Sequence, residues 1–320
     1  MSSESKSAVI AAMGANFAIA AGKLAAGLLT GSASMLAEAG HSIADTVNQV
    51  FLLIGINLST TSADSRHPHG YGKEAFFWSF LAAIFIFVAG AAFSFYEGAR
   101  TLLQGDGHHR GHNELLIAFG VLAIAAVFES VSMTVAIRAI LAGARRRRWS
   151  ALRFLRESPD LTAKTVFFED GAAITGLFIA ASGLALSQST GNDAWDGYAS
   201  LAIGVVLAIV AVLLGAQSRA LLLGAAAGEE TQDAIHETLA RFPEVQRVLR
   251  LLTMQLGSHS VLVTGELQVQ RSLDATAIED LMARIDALLS ETAPEVVDTF
   301  WELRREPRGP GEHPRHDPHA

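Results

Sequence analysis

Residues 33–60, ASMLAEAGHSIADTVNQVFLLIGINLST, decide how this chain is read. The stretch is long and mostly apolar, and a membrane-spanning helix needs about 20 such residues, so a span is expected here. His41 and Asp45 lie inside it, four residues apart. Positions i and i+4 share one face of a helix, so the two side chains converge. An imidazole nitrogen with a carboxylate oxygen is a donor set suited to a divalent transition metal. An ionisable residue inside a span costs roughly 2.5–3.5 kcal/mol on insertion scales, so it is expected to face the bundle interior and to serve a function. The plainer alternative is a buried polar pair that only holds helices together.

Around this stretch the chain of 320 residues is 50% hydrophobic, with mean hydropathy +0.33. Its apolar residues cluster in stretches near 8–29, 33–60, 75–103, 114–142, 161–187 and 196–223, which predicts six transmembrane helices. The first starts almost at Met1 without a basic leader and is expected to be an uncleaved first helix. It carries Asn16, read as interhelical glue, and Lys23, expected to snorkel toward an interface. Cysteine is absent, so there is no disulfide framework and any metal must be held by His, Asp or Glu.

Charge is unevenly spread. Residues 228–320 hold 17 acidic and 9 basic residues, all nine of them Arg, which leaves 15 of each sign in residues 1–227. The net charge of −8 therefore belongs to the C-terminal part, which argues against nucleic acid as a partner.

The polar loop 61–74, TSADSRHPHGYGKE, holds Asp64 and His67, candidates for a surface metal site or incidental residues of a helix-joining loop. A second loop holds His108, His109 and His112, read as a solvated tract. The fourth stretch buries Glu129 near its middle, where it could complete a metal shell, carry a proton or pair with a cation. It is followed by ARRRRWSALRFLRESPD, 144–160, and six arginines there mark the cytoplasmic side and put both termini on that side. A polybasic patch for anionic lipid is a further reading of the same run. The fifth stretch holds Glu169 and Asp170. Neighbours on a helix point about 100° apart, so the pair is not expected to serve one site equally. Asp170 enters from the side opposite to His41 and Asp45, and the depths can meet near the midplane.

Residues 228–306 read as helix, two strands, helix and strand, a small cytoplasmic α+β (ferredoxin-like, αββαβ) domain, with Asp274 as an N-cap candidate. The expected division is 1–227 transmembrane, 228–306 C-terminal domain and a disordered His/Pro-rich tail, 307–320. About 80 residues make a thin core, so dimer contacts are expected to help it.

On these residues the chain resembles the cation diffusion facilitator, or cation efflux, family of proton-coupled metal transporters. GSASMLAEAGHSIADTVNQ looks like the family's second-helix signature, RHPHGYGKE resembles its following loop, and Asp170 to Gly176 matches D-x(5)-G in helix five. The resemblance implies a transport site with two ligands from helix two and two from helix five. Carried over, these are His41, Asp45, Asp170 and position 166, which is Val here. The match is closest to a branch with Glu-Asp in helix five, which brings in Glu169. The fourth ligand is left open between Glu169, Glu129, Asn48 and water. An oxygen-rich shell relaxes preference toward manganese or iron, with zinc the first expectation. Asp64 and His67 match a second metal site of some relatives, whose third position is Tyr71 here. His236 and His259 are candidates for a metal at a C-terminal dimer interface.

The implied protein is a homodimeric, multi-pass transporter that exchanges a divalent metal for protons, holds no resident cofactor and is expected in a bacterial inner (plasma) membrane. It is not expected to be an enzyme, since no span carries a hydrolase motif. The alternative is a membrane-embedded sensor that binds metal without moving it.

Overall fold

The computed structural model describes residues 3–104, 111–146, 149–157, 161–258 and 260–305. It divides into two compact units, Met1–Leu222 and Leu223–Ala320.

The first unit is a helix bundle. Helix α1 spans Ser3–Thr30 and α2 spans Ala33–Ser59, joined by a turn in which Gly31 has φ 59°. The third stretch is one continuous rod in three parts: α3, Glu74–Phe85, a π-helical segment, Ile86–Ala92, and α4, Phe93–Gln104. Helix α5 runs His112–Arg146, and α7 and α8 run Leu161–Thr190 and Ala194–Leu222. Six long helical stretches therefore stand where six were expected. Among the described residues, four of them are long and apolar enough to cross a membrane by length and composition: Glu74–Gln104, His112–Arg146, Lys164–Thr190 and Ala194–Leu222. Helix α2 has the length, but its polar residues hold its hydropathy down. The part of α1 that counts, Asn16–Thr30, is short.

Two features were not foreseen. The arginine-rich stretch is not all loop: α5 continues to Arg146, and a short helix α6, Ala151–Glu157, follows. Phe154 of α6 is buried with Ile140 and Ala144, because Gly143 of α5 leaves a gap its ring fills. The second is a non-local cap. Ser32 caps α2 by accepting from the Met35 amide. The fully buried Asp196 of α8 then accepts from the Ala33 amide at 2.7 Å, from Ser32 Oγ at 2.8 Å and from Ser34 Oγ. A carboxylate at the positive end of the α2 dipole satisfies amides that have no partner inside the helix. The start of α2 is thereby tied to α8.

The core of the bundle is built largely of small residues, among them Ala37, Ala44, Ala91, Ala118, Ala125 and Ala180. Small side chains let helices approach closely where the hydrophobic effect does not drive them together. Gly40 shows how close. A Cβ on it would lie 3.0 Å from the Ala89 carbonyl of the π-helical segment and 2.9 Å from the Phe93 ring. Helix α2 thus presses on the widened turn immediately before His41.

The second unit has the predicted order. Helix α9, Glu229–Ala240, precedes strands β1, Val245–Gly257, and β2, Ser260–Val269, then helix α10, Ala275–Thr292, and strand β3, Val296–Leu303. Strands β1 and β2 are antiparallel, and β3 lies parallel to β2, reached by the α10 crossover. Ile235, Leu239, Leu281, Ile285 and Leu289 of the helices pack on Val261, Val263 and Leu267 of β2. Asp274 is the N-cap of α10, accepting from the Ala277 amide at 2.9 Å. The expected tail, 307–320, and His259 lie outside the described residues.

Candidate metal site in the bundle

On α2, His41 is 1% exposed and its Nε2 stands 3.5 Å from Asp45 Oδ2, across one helical turn. That is an ion-pair distance rather than a good hydrogen bond. Both ring nitrogens of His41, Asp45 Oδ1 and Asp170 Oδ2 are buried without a hydrogen-bond partner among the described residues. Buried polar atoms in folded proteins are normally paired, so these unpaired atoms on α2 and α7 are candidates for holding a ligand.

Asp45 opens on a cavity of about 360 Å³ whose wall also holds Glu129 of α5 and Val166, Glu169 and Asp170 of α7. Positions 166 and 170 share the cavity face, as an i,i+4 pair should. Glu169 and Asp170, expected to diverge, line the same cavity. The reason is local: Glu169 is turned toward α2, where Asn48 Nδ2 donates to its Oε1 at 2.6 Å. Asn48 is thus engaged with Glu169. Glu129, expected to be buried, is half-buried on the wall. His41 does not form part of the wall and reaches the cavity through Asp45. Among the described residues no three His, Asp or Glu side chains are drawn tightly enough together to close a shell around an ion, so they frame a cavity rather than a finished coordination sphere.

Residues missed in the sequence stand beside this place. Lys23 does not snorkel: it is fully buried, with Nζ 2.9 Å from Glu38 Oε2 and 2.8 Å from Ser42 Oγ. The polar stripe of α2 therefore begins one turn before His41, at Glu38. Period arithmetic alone could have flagged Glu38, which is seven residues before Asp45. Gln49, one turn beyond Asp45, also lines the cavity, and its Oε1 is buried without a partner among the described residues.

The loop candidates are organised differently. Asp64 Oδ1 accepts from the amides of Arg66 at 2.9 Å and His67 at 2.7 Å, and Oδ2 accepts from the Tyr71 hydroxyl at 2.9 Å. These bonds, the His67 amide first, hold the exposed Asp64 carboxyl below the usual carboxylate range, and the same carboxylate pushes the Tyr71 phenol up. His67 Nδ1 lies 3.7 Å from Asp64 Oδ1, and its ring lies against that of Tyr71, tilted by 40° with centroids 4.1 Å apart. Asp64 thus shapes the loop. His236 is exposed on α9, and His108 and His109 lie outside the described residues.

Residues 9–223 match the family model described as the cation efflux transmembrane domain. The chain is 31% identical over 281 residues to the human protein named "Proton-coupled zinc antiporter SLC30A9, mitochondrial", covering 87% of this chain and 49% of that protein. It is 29% identical over 282 residues to "Metal tolerance protein C4" of Arabidopsis thaliana, covering 86% of this chain and 61% of that protein. Over 86 residues it is 31% identical to "Magnetosome protein MamM" of Magnetospirillum gryphiswaldense, 27% of each chain. The chain spans about half the length of the mitochondrial antiporters it matches.

Proposed function

Because this chain belongs to the cation efflux family, a family of multi-pass membrane transporters, we propose that it carries a divalent transition-metal ion across a membrane in exchange for protons. Zinc is the leading substrate, with manganese and iron as alternatives. Transport rather than enzymatic turnover is its activity. The observation that carries the reading is the meeting of α2 and α7 at one cavity: Asp45, backed by His41, faces Glu169 and Asp170.

In this proposal His41, Asp45 and Asp170 are ligands, and Glu169 or Glu129 supplies a further oxygen. The ligating atoms must be deprotonated to bind, so metal entering the site releases protons and protons returning release metal. Imidazole is suited to that exchange, since its ordinary pKa lies near neutrality. Small rotamer changes of the four lining carboxylates would close the open frame around an ion.

The arginine run after α5 supports a cytoplasmic side for both termini. The relatives' names include a mitochondrial protein and a plant protein, and they lend no support to the expected bacterial inner membrane. A homodimer held partly through the small C-terminal unit, and lipid contact at the arginine run, complete the proposal.

The test is flux in proteoliposomes with Zn²⁺, Mn²⁺, Fe²⁺ and Co²⁺ and a lumenal pH dye. Metal uptake with opposing proton movement is the expected result. Metal binding without metal-dependent proton movement would make the protein a sensor instead.

A further inference from the structure

The side chains of Lys23 and Glu38 are both 0% exposed, and Nζ and Oε2 are 2.9 Å apart. Burying two charges is expensive, and an apolar pair of similar volume is often as stable, so such a pair is a weak stability device. Ionisable groups inside a membrane bundle are by default functional. Three observations say what this one does. Glu38 lies three residues before His41 and seven before Asp45, so it continues the stripe of α2 that bears both. Its second oxygen, Oε1, is buried with no hydrogen-bond partner among the described residues, so half of the carboxylate is unspent. The neighbouring helix is bare where that oxygen projects: a Cβ on Gly176 of α7 would stand 2.1 Å from Oε1. The gap is fitted to a carboxylate oxygen, and Ser42 adds a hydroxyl beside it, bonded to the same ammonium at 2.8 Å.

We propose that Glu38 is a second divalent-cation station, one helical turn from the His41–Asp45 position, and that the Lys23 ammonium is a tethered cation holding its place. An ion moving along the α2 stripe takes over Glu38 Oε1 and Oε2, and Lys23 swings away on its flexible stem. Lys23 Nζ is bonded to Ser42, which lines the same cavity as Asp45, so the displaced ammonium compensates the carboxylate the ion has just left. The bundle interior then never carries a naked carboxylate at either position. The inference rests on the transport reading for the identity of the ion, but not for the existence of the station.

The experiment is equilibrium binding of Zn²⁺ and of Mn²⁺ to the full chain in detergent, purified in the presence of the ion. Lys23→Met removes the competitor, and one more ion per chain than in wild type is expected. Adding Glu38→Gln should return the count to the wild-type value. The extra ion should survive Asp45→Ala in the Lys23→Met background. If Asp45→Ala leaves the remaining binding intact, the transport-site reading has failed while the station stands. A monodisperse Lys23→Met protein with no additional ion overturns the station. Should Lys23→Met not accumulate, Lys23→Met/Glu38→Leu replaces the pair with apolar groups. Flux at least tenfold below wild type, with Zn²⁺ binding at the Asp45 position retained, supports the station. Wild-type flux overturns it.

Discussion

Asn48 of α2 donates its carboxamide to Glu169 of α7 at 2.6 Å, both side chains being buried. This single bond joins the two helices that carry the proposed ligands. It also sets the orientation of Glu169, so the first prediction concerns it. Asn48→Ala leaves a buried carboxyl short of its donor, and a stability loss of about 1–3 kcal/mol is expected. Thermal unfolding of the detergent-solubilised protein measures it. A variant as stable as wild type would mean that Glu169 finds another donor.

Asp45→Ala and Asp170→Ala remove the carboxylates of two proposed ligands from the cavity wall rather than packing groups. Both variants should be folded and monodisperse, and both should lose transport in proteoliposomes. Wild-type flux from either, at matched expression, would reject its assignment.

Metal preference should respond to position 166. Val166 and Asp170 both line the cavity, so a histidine at 166 would place a nitrogen on the ligand face. With His41, Asp45 and Asp170 it makes a two-nitrogen, two-carboxylate set, which zinc accepts readily, while manganese prefers more oxygens. Val166→His should therefore raise the Zn²⁺/Mn²⁺ flux ratio. An unchanged ratio, together with collapsed flux in Glu169→Gln, would give the fourth ligand position to Glu169.

Gly176 should be the less tolerant of two glycines of α7, because a side chain there must displace the buried end of Glu38. A Cβ there falls 2.1 Å from Glu38 Oε1, whereas one at Gly171 would be 3.4 Å from the end of the Met133 side chain. Gly176→Ala is expected to cost about 1–3 kcal/mol through overpacking, and Gly171→Ala much less. Comparison of the two melting temperatures in detergent decides the matter.

In the C-terminal unit, Arg284 Nη1 donates to Glu244 Oε1 at 2.8 Å and holds that carboxyl below its ordinary range. A depressed folded pKa contributes stability above the unfolded value and loses it as pH falls through the folded one. Hydrogen exchange around 244 and 284 in the full chain should be slower in wild type than in Arg284→Ala at neutral pH. The difference should shrink as the pH is lowered through the depressed folded pKa of Glu244. A difference that persists in acid would mean Arg284 acts by packing, and its guanidinium does lie over the Phe242 ring at 5.2 Å.

Much of this protein was legible in the chain itself. Length and apolar clustering gave six helical stretches, because a span must satisfy its own backbone and the needed length is fixed by the bilayer. Alternation and turn residues gave the αββαβ order, and Asp274 announced the start of α10. The four-residue spacing of His41 and Asp45 put them on one face, since the helical period is a local property. What tertiary structure decided was everything that depends on which helix stands opposite. Lys23 looks like an interfacial lysine until Glu38 is brought against it across the α1–α2 turn. Asp196 caps a helix that starts more than 160 residues earlier in the chain. Glu169 joins Asp170 on one cavity, bonded there to Asn48 of the facing helix. Rotation and register of packed helices are set by small residues such as Gly40 and Gly176, whose partners no periodicity reveals.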